Sequence, residues 1–301
     1  MAKTNTKTNK SIHHPVLLES VVHLLAPQPG DRYLDLTAGY GGHASKIISM
    51  IGEKGSATLV DRDENAIKHL TNVFEHVDTP ITTVHADFAS TAVRLSESAE
   101  QYDMVLMDLG VSSPHLDNAA RGFSFMADGP LDMRMDQSSG ITAAEIINTS
   151  TESELVEIFR RYGEEPRSKA IARELVNVRP LTTTNDLVEV IERVKPRRGA
   201  RKHPATQVFQ ALRIVVNDEL LQLQKTLELL PKIVAGQGRV VIISFHSLED
   251  RAVKRYFADH SKGVLADWRI LTKKPVLGSI DVHNPRARSS VLRAAVKINM
   301  L

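Results

Sequence analysis

Short apolar runs that end in an acid alternate with helical spacing through the first third of the chain. Arg32-Tyr33-Leu34-Asp35-Leu36 reads as a buried strand, and Ala57-Thr58-Leu59-Val60-Asp61 repeats the pattern. Between them, residues 44–51 carry apolar side chains at three-and-four spacing, as do residues 65–74 before a third strand at 81–87. Residues 102–109 (YDMVLMDL) are a fourth strand. Strand–helix alternation of this kind predicts a parallel, doubly wound sheet. Ligands of such sheets sit at the carboxyl ends of the strands, so these acids point at one crevice.

After Leu109 the rhythm breaks. The next buried strand is Arg239-Val240-Val241-Ile242-Ile243-Ser244, roughly 130 residues on and far beyond an ordinary crossover. The intervening segment is helical in pattern. Thr142-x-x-Glu145 and Thr151-x-x-Glu154 are capping-box sequences, and residues 154–161, 168–178 and 185–194 are amphipathic. Residues 116–204 therefore read as an inserted all-helical domain. Residues 205–230 read as one long helix returning to the parent sheet, which comprises residues 12–115 and 205–301. Residues 268–272 and 290–298 read as closing strands, joined by a segment too short and polar for a crossover helix, so they should pair antiparallel. The fold class is α/β: a Rossmann-like methyltransferase sheet, mostly parallel, with a C-terminal antiparallel hairpin.

Composition narrows the function classes. With 42% apolar and 25% charged residues, the 301-residue chain has the balance of a soluble globular protein. No apolar run approaches the roughly 18 residues of a membrane span. Residues 1–11 read as a disordered tail rather than a targeting signal. The absence of cysteine excludes a disulfide framework, a thiolate zinc site and a Cys nucleophile, and fits the cytoplasm. The net charge of +2 is too small to argue for nucleic acid, but its distribution is uneven. Lys195, Arg197, Arg198, Arg201 and Lys202 lie within nine residues, and Arg286 and Arg288 form a second spot. Two such clusters beside a cofactor site suggest a phosphate-contacting surface, although a solvated loop explains either one alone.

The candidate cofactor loop is Asp35-Leu36-Thr37-Ala38-Gly39-Tyr40-Gly41-Gly42-His43, between the first strand and its helix. Gly39-x-Gly41-x-x-Ala44 also fits a dinucleotide fingerprint. Three acids favour a different ligand: Asp35 before the glycines, Asp61 placed to accept both ribose hydroxyls, and Asp87, where a side chain and the Phe88 N–H can read adenine. Carboxylates around a pyrophosphate would repel it. S-adenosylmethionine has no phosphate and carries a sulfonium cation. His43 either faces that ligand or donates to nearby backbone.

Longer motifs follow. Asp108-Leu109-Gly110-Val111-Ser112-Ser113-Pro114 precedes Arg121-Gly122-Phe123-Ser124-Phe125 and Leu131-Asp132-Met133-Arg134-Met135-Asp136. Downstream come Tyr162-Gly163-Glu164-Glu165, His203-Pro204-Ala205-Thr206, Phe209-Gln210-Ala211-Leu212-Arg213-Ile214, Ser244-Phe245-His246-Ser247-Leu248-Glu249-Asp250-Arg251 and Asn284-Pro285-Arg286-Ala287-Arg288-Ser289. Together, from His14-Pro15-Val16-Leu17-Leu18 almost to the C-terminus, these closely resemble the MraW/RsmH family of ribosomal RNA methyltransferases. The resemblance implies N4-methylation of a cytidine in the decoding region of 16S ribosomal RNA, within the assembled small subunit, by a catalytic domain carrying a helical insert. It implies cofactor contacts at Gly41, Gly42, His43, Asp61, Phe88 and Asp108, and at His115, where the family usually has Gln. A histidine there still hydrogen-bonds, but its charge varies near neutral pH.

The cytosine amine is a poor nucleophile, and acceptors that bind its protons favour an attacking lone pair. Asp108 either binds the cofactor, polarises that amine, or does both, with Ser112 and Ser113 as second-choice acceptors. A target base leaves its stack to enter such a crevice. Phe123 and Phe125, beside Arg121, provide either a stacking surface or core, Arg134 lies in a half-buried loop over the site, and both arginines are candidate RNA contacts. A zinc site at His246 finds no second histidine at ligand spacing, and a Ser247-x-x-Asp250 helix cap explains the pattern. Two other readings compete: a methyltransferase of proteins or small molecules, and a non-catalytic ribosome-assembly factor. Monomer and homodimer are both compatible with the sequence.

Overall fold

The computed structural model describes residues 14–197, 203–263 and 266–298. The chain runs α1 (Leu18–Leu25), β1 (Arg32–Asp35), α2 (Gly42–Ile51), β2 (Ser56–Asp61), α3 (Glu64–Val73), β3 (Ile81–His85), α4 (Phe88–Ser98), β4 (Tyr102–Asp108) and α5 (Ser113–Asp117). The insert supplies α6 (Ala143–Thr149), α7 (Glu152–Gly163), α8 (Ser168–Val178) and α9 (Thr184–Val194). It is followed by α10 (Thr206–Val216), α11 (Glu219–Ile233), β5 (Val234–Ser244), α12 (Ser247–Asp259), β6 (Trp268–Ile270), β7 (Val276–Leu277) and β8 (Val291–Lys297).

The sheet order is β3-β2-β1-β4-β5-β8-β6, with β7 also on β8. The strands from β3 to β5 are parallel, and β8 runs antiparallel to both β5 and β6. The expected closing hairpin is therefore present, with β8 wedged inward between β5 and β6. Central strands such as β4 are apolar on both faces because helices cover both, as a parallel sheet requires. Leu34, Val105 and Ile242 face α4 and α11 on one side, while Tyr33, Leu106 and Ile243 face α1 and α2 on the other. Each such buried side chain contributes roughly 1.5–3 kcal/mol.

The insert has its own core, built on Ile146, Leu155, Phe159, Ile171 and Leu187. Both capping boxes form: the Thr142 hydroxyl accepts from the Glu145 N–H, and that of Thr151 accepts from the Glu154 N–H. The single long helix expected over residues 205–230 does not form. The chain breaks at Asn217 and Asp218, the latter at φ 51°, so α10 and α11 are separate helices. α10 lays Val208, Phe209 and Leu212 into the insert core, whereas α11 packs Leu223, Leu227 and Leu230 on the sheet. Asn217 fastens the break by donating to the Met133 carbonyl and accepting from the Met135 N–H.

Candidate functional site

A cavity of about 910 Å³ opens over the carboxyl ends of β1, β2 and β4. That is near the top of the roughly 300–1,000 Å³ range for small-molecule sites. Gly39, Gly42, His43, Asp61, Phe88, Asp108, Ser112, Ser113 and His115 all line it. Asp35 and Gly41 do not. Gly41 caps α2 at φ 80°, and a Cβ there would meet Leu70 and Phe74 of α3 at 3.0 and 3.2 Å. Its role is the turn and the packing behind it.

Asp61 at the end of β2 holds the loop in shape. Its two oxygens accept from the backbone N–H groups of Gly39 and Asp63, each at 2.8 Å. Burial raises its pKa. Asp87 accepts from the Ser90 N–H and hydroxyl as the cap of α4, and it lines the cavity beside Phe88.

Asp35 lies beneath the floor. It accepts from the Tyr33 hydroxyl at 2.7 Å and the Thr37 N–H at 3.1 Å, and burial pushes its pKa up to about 7. Thr37 in turn accepts from the Asp108 N–H at 2.6 Å, so Asp35 acts on the site through Thr37. Asp108 ends β4 with Oδ1 buried and no partner among the described residues. Burial, then the charges of Asp35 and Glu249, push its pKa well above the carboxylate range. His43 Nε2 donates to the Val16 carbonyl at 2.8 Å, so its unprotonated Nδ1 faces Asp108 Oδ2 at 3.7 Å. Burial lowers the His43 pKa to about 4, so the ring faces Asp108 as a neutral imidazole. The sequence left this histidine between ligand and backbone, and its hydrogen bond goes to backbone.

His115 lies between Ser112 and Asp63. Nδ1 lies 3.0 Å from the Ser112 hydroxyl, and Nε2 lies 2.9 Å from Asp63 Oδ2. Arg121 reaches the same Asp63 oxygen at 3.1 Å and donates to the carbonyls of Arg134 and Met135. Burial alone would raise the Asp63 pKa, but the His115 hydrogen bond and the Arg121 charge hold it well below the carboxylate range. Asp63 was not singled out by the sequence, and its partners lie 52 and 58 positions away. His14, Pro15 and Val16 were also unassigned. They line the cavity because Asn284 donates to the His14 carbonyl and Asp281 accepts from the Leu17 N–H.

Across the cavity stand Phe123, Phe125, Phe209, Arg213 and Phe245. Phe123 is core, 7% exposed, whereas Phe125 is half-buried between His203 and Phe209. His246, not Ser247, caps α12, with its ring accepting from the Glu249 N–H. Glu219, His246 and Glu249 bring potential ligand atoms within 4.8 Å of one another. The set does not suit a cation. Arg213 already neutralises Glu219, and the Nδ1 that accepts the Glu249 N–H leaves the imidazole proton on Nε2.

The basic residues divide. Arg121 is buried, Arg134 is clamped by Asp132, and Lys195 donates to buried Glu165 and to Gln207, so these three stabilise the insert rather than offering free charge. Arg197 and Arg288 are exposed, and Arg286 pairs with Asp117 at the cavity rim. Arg198, Arg201 and Lys202 lie outside the described residues. So does the expected tail over residues 1–11.

The cavity suits a cationic, phosphate-free ligand: Asp61 and Asp108 line it, and burial holds both carboxyl pKa values up until positive charge arrives. Residues 10–298 match the model of the MraW methylase family. A protein from Cyanothece sp. named ribosomal RNA small subunit methyltransferase H is 44% identical over 292 residues, covering 96% of each chain. One of the same name from Synechocystis sp. is 46% identical, covering 95% of this chain and 93% of its own. Another from Nostoc sp. is 45% identical, covering 99% and 97%. The chain belongs to the MraW methylase family, and S-adenosylmethionine is its cofactor.

Proposed function

We propose that this protein methylates the N4 amine of a cytidine in the decoding region of 16S ribosomal RNA, acting in the cytoplasm on the assembled small subunit. The names of its relatives support a small-subunit RNA substrate. Among the described residues no helix is long and apolar enough to cross a membrane. The observation that carries the chemistry is Asp108: a half-buried acid at the end of β4, with one buried oxygen that has no partner among the described residues, bordering a cavity roomy enough for a cofactor and a base.

S-adenosylmethionine supplies an electrophilic methyl group on a sulfonium centre. Asp61 would accept the ribose hydroxyls, Phe88 would contact the adenine, and the loop from Gly39 to His43 would hold the methionine end. His115 lines the cavity with its Nδ1 against the Ser112 hydroxyl. Asp108 accepts from the target amine, which favours the lone pair in line with the methyl group. Ser113 lies on the same turn as a second acceptor. The exposed Arg197 and Arg288, with Arg198, Arg201 and Lys202, contact phosphates, and Arg286 marks the rim.

Single-turnover methylation of small-subunit particles by Asp108→Asn, at rising cofactor concentration, tests this. Turnover that stays low at saturation is the expected result, because the lost interaction belongs to the transition state. Recovery at saturating cofactor would reduce Asp108 to a cofactor contact, and wild-type turnover at ordinary cofactor levels would remove it from the chemistry.

A further inference from the structure

Cytosine and adenine share an edge on which an exocyclic amine stands beside an unprotonated ring nitrogen. Uracil and guanine present a carbonyl beside an N–H instead. A site that reads the first edge and rejects the second needs an acceptor next to a donor, and the penalty for the wrong base is a buried polar group left unpaired.

The acceptor is Asp108. Two residues on, the chain turns at Gly110, which has a φ of 95° and lines the cavity. Arg213 of α10 reaches that turn, its Nη1 lying 4.0 Å from where a Gly110 Cβ would stand. The ring of Phe245 closes the other flank at 3.3 Å from the same point. The charge of Glu249 acts on both Asp108 and Arg213, so acid and guanidinium share one neighbourhood.

Arg213 is held as a fork with one edge free. Nε and Nη2 each donate to Glu219 at 2.8 Å, while Nη1 has no acceptor among the described residues. The break at Asn217 and Asp218 is what returns Glu219, six positions later, to grip that side chain. Bidentate restraint of a planar guanidinium fixes the direction of its remaining donors.

We propose that Arg213 reads the target base: Nη1 donates to the ring-nitrogen acceptor while the Asp108 carboxylate accepts from the adjacent amine. Glu219 is the positioning residue that aims it. This rests on the reading of the protein as a base-amine methyltransferase, and adds the residue by which it rejects uracil.

The test is a double-mutant cycle between enzyme and base. Single-turnover methylation is measured on small-subunit RNA, in particles, carrying either cytidine or 3-deazacytidine at the target position, with wild-type enzyme and Arg213→Gln. Replacing the ring nitrogen by C–H should slow the wild type about 10- to 100-fold more than it slows Arg213→Gln. Any change in amine reactivity is common to both enzymes and cancels. Equal slowing of the two would overturn the assignment. Cofactor affinity measured by calorimetry should be the same in both, which separates base reading from damage to the fold. Should Arg213→Gln fail to fold, Glu219→Gln carries the same cycle: non-additive losses support the assignment and additive ones overturn it. Failure of the wild type to methylate cytidine N4 at all is a different result, and overturns the base-amine reading together with this one.

Discussion

Asp61→Asn is a more demanding perturbation than its small change in size suggests. Both carboxylate oxygens accept from backbone N–H groups, Gly39 and Asp63, each at 2.8 Å. An asparagine side chain offers only one oxygen. Whichever way it turns, its NH₂ meets a backbone N–H, so one buried donor loses its acceptor at a cost of about 1–3 kcal/mol. The two N–H groups shape the glycine loop and the start of α3, and the same carboxylate is proposed to take the ribose hydroxyls. Affinity for S-adenosylmethionine should therefore fall roughly 5- to 150-fold. Asp61→Ala removes both acceptors, so it should weaken binding at least as much as Asn. Calorimetric titration gives the affinities, and thermal unfolding followed by circular dichroism shows whether each variant is folded. A folded Asn variant that binds as tightly as wild type would refute the argument that this carboxylate organises the cofactor loop.

Asp63→Asn should destabilise the protein by about 3–5 kcal/mol, because it strands buried Arg121 and frees His115, and chemical denaturation reads the loss directly. The native Asp63 pKa is depressed, so its stabilisation is complete above the unfolded value of about 3.9 and is lost as pH falls through the lower native value. Wild type should accordingly lose part of its advantage over Asp63→Asn when the two are compared by denaturation below about pH 4. Replacing Arg197, Arg198, Arg201, Lys202 and Arg288 with Gln should weaken RNA binding and flatten its dependence on salt while sparing cofactor affinity. An unchanged salt slope in filter binding would make these residues a solvated surface.

Much of the architecture was legible because its signals are local. Strands ending in Asp35, Asp61 and Asp108, the capping boxes at Thr142 and Thr151, and the antiparallel close each depend on neighbours in sequence. The break at Asn217 was hidden because residues 205–230 keep helical spacing throughout. What divides them is the hydrogen bonding of Asn217 to Met133 and Met135, more than eighty positions away. The Asp63–His115–Arg121 network and the Arg213–Glu219 pair were invisible for a related reason: a charged side chain announces its type in sequence but not its partner. Lys195 and Arg121 show the converse. Both were candidate RNA contacts, and both are used up inside the fold by Glu165 and Asp63.

The proposed reaction transfers a methyl group to one cytidine amine in small-subunit RNA. It is tested most directly by mass-spectrometric mapping of 16S ribosomal RNA nucleosides from cells lacking this protein, beside cells expressing wild type or Asp108→Asn. A single N4-methylation in the decoding region should disappear without the protein, return with wild type, and stay deficient with Asp108→Asn. An unchanged methylation map in the deletion strain, or loss of a methyl group from a different atom or a different RNA, would contradict it.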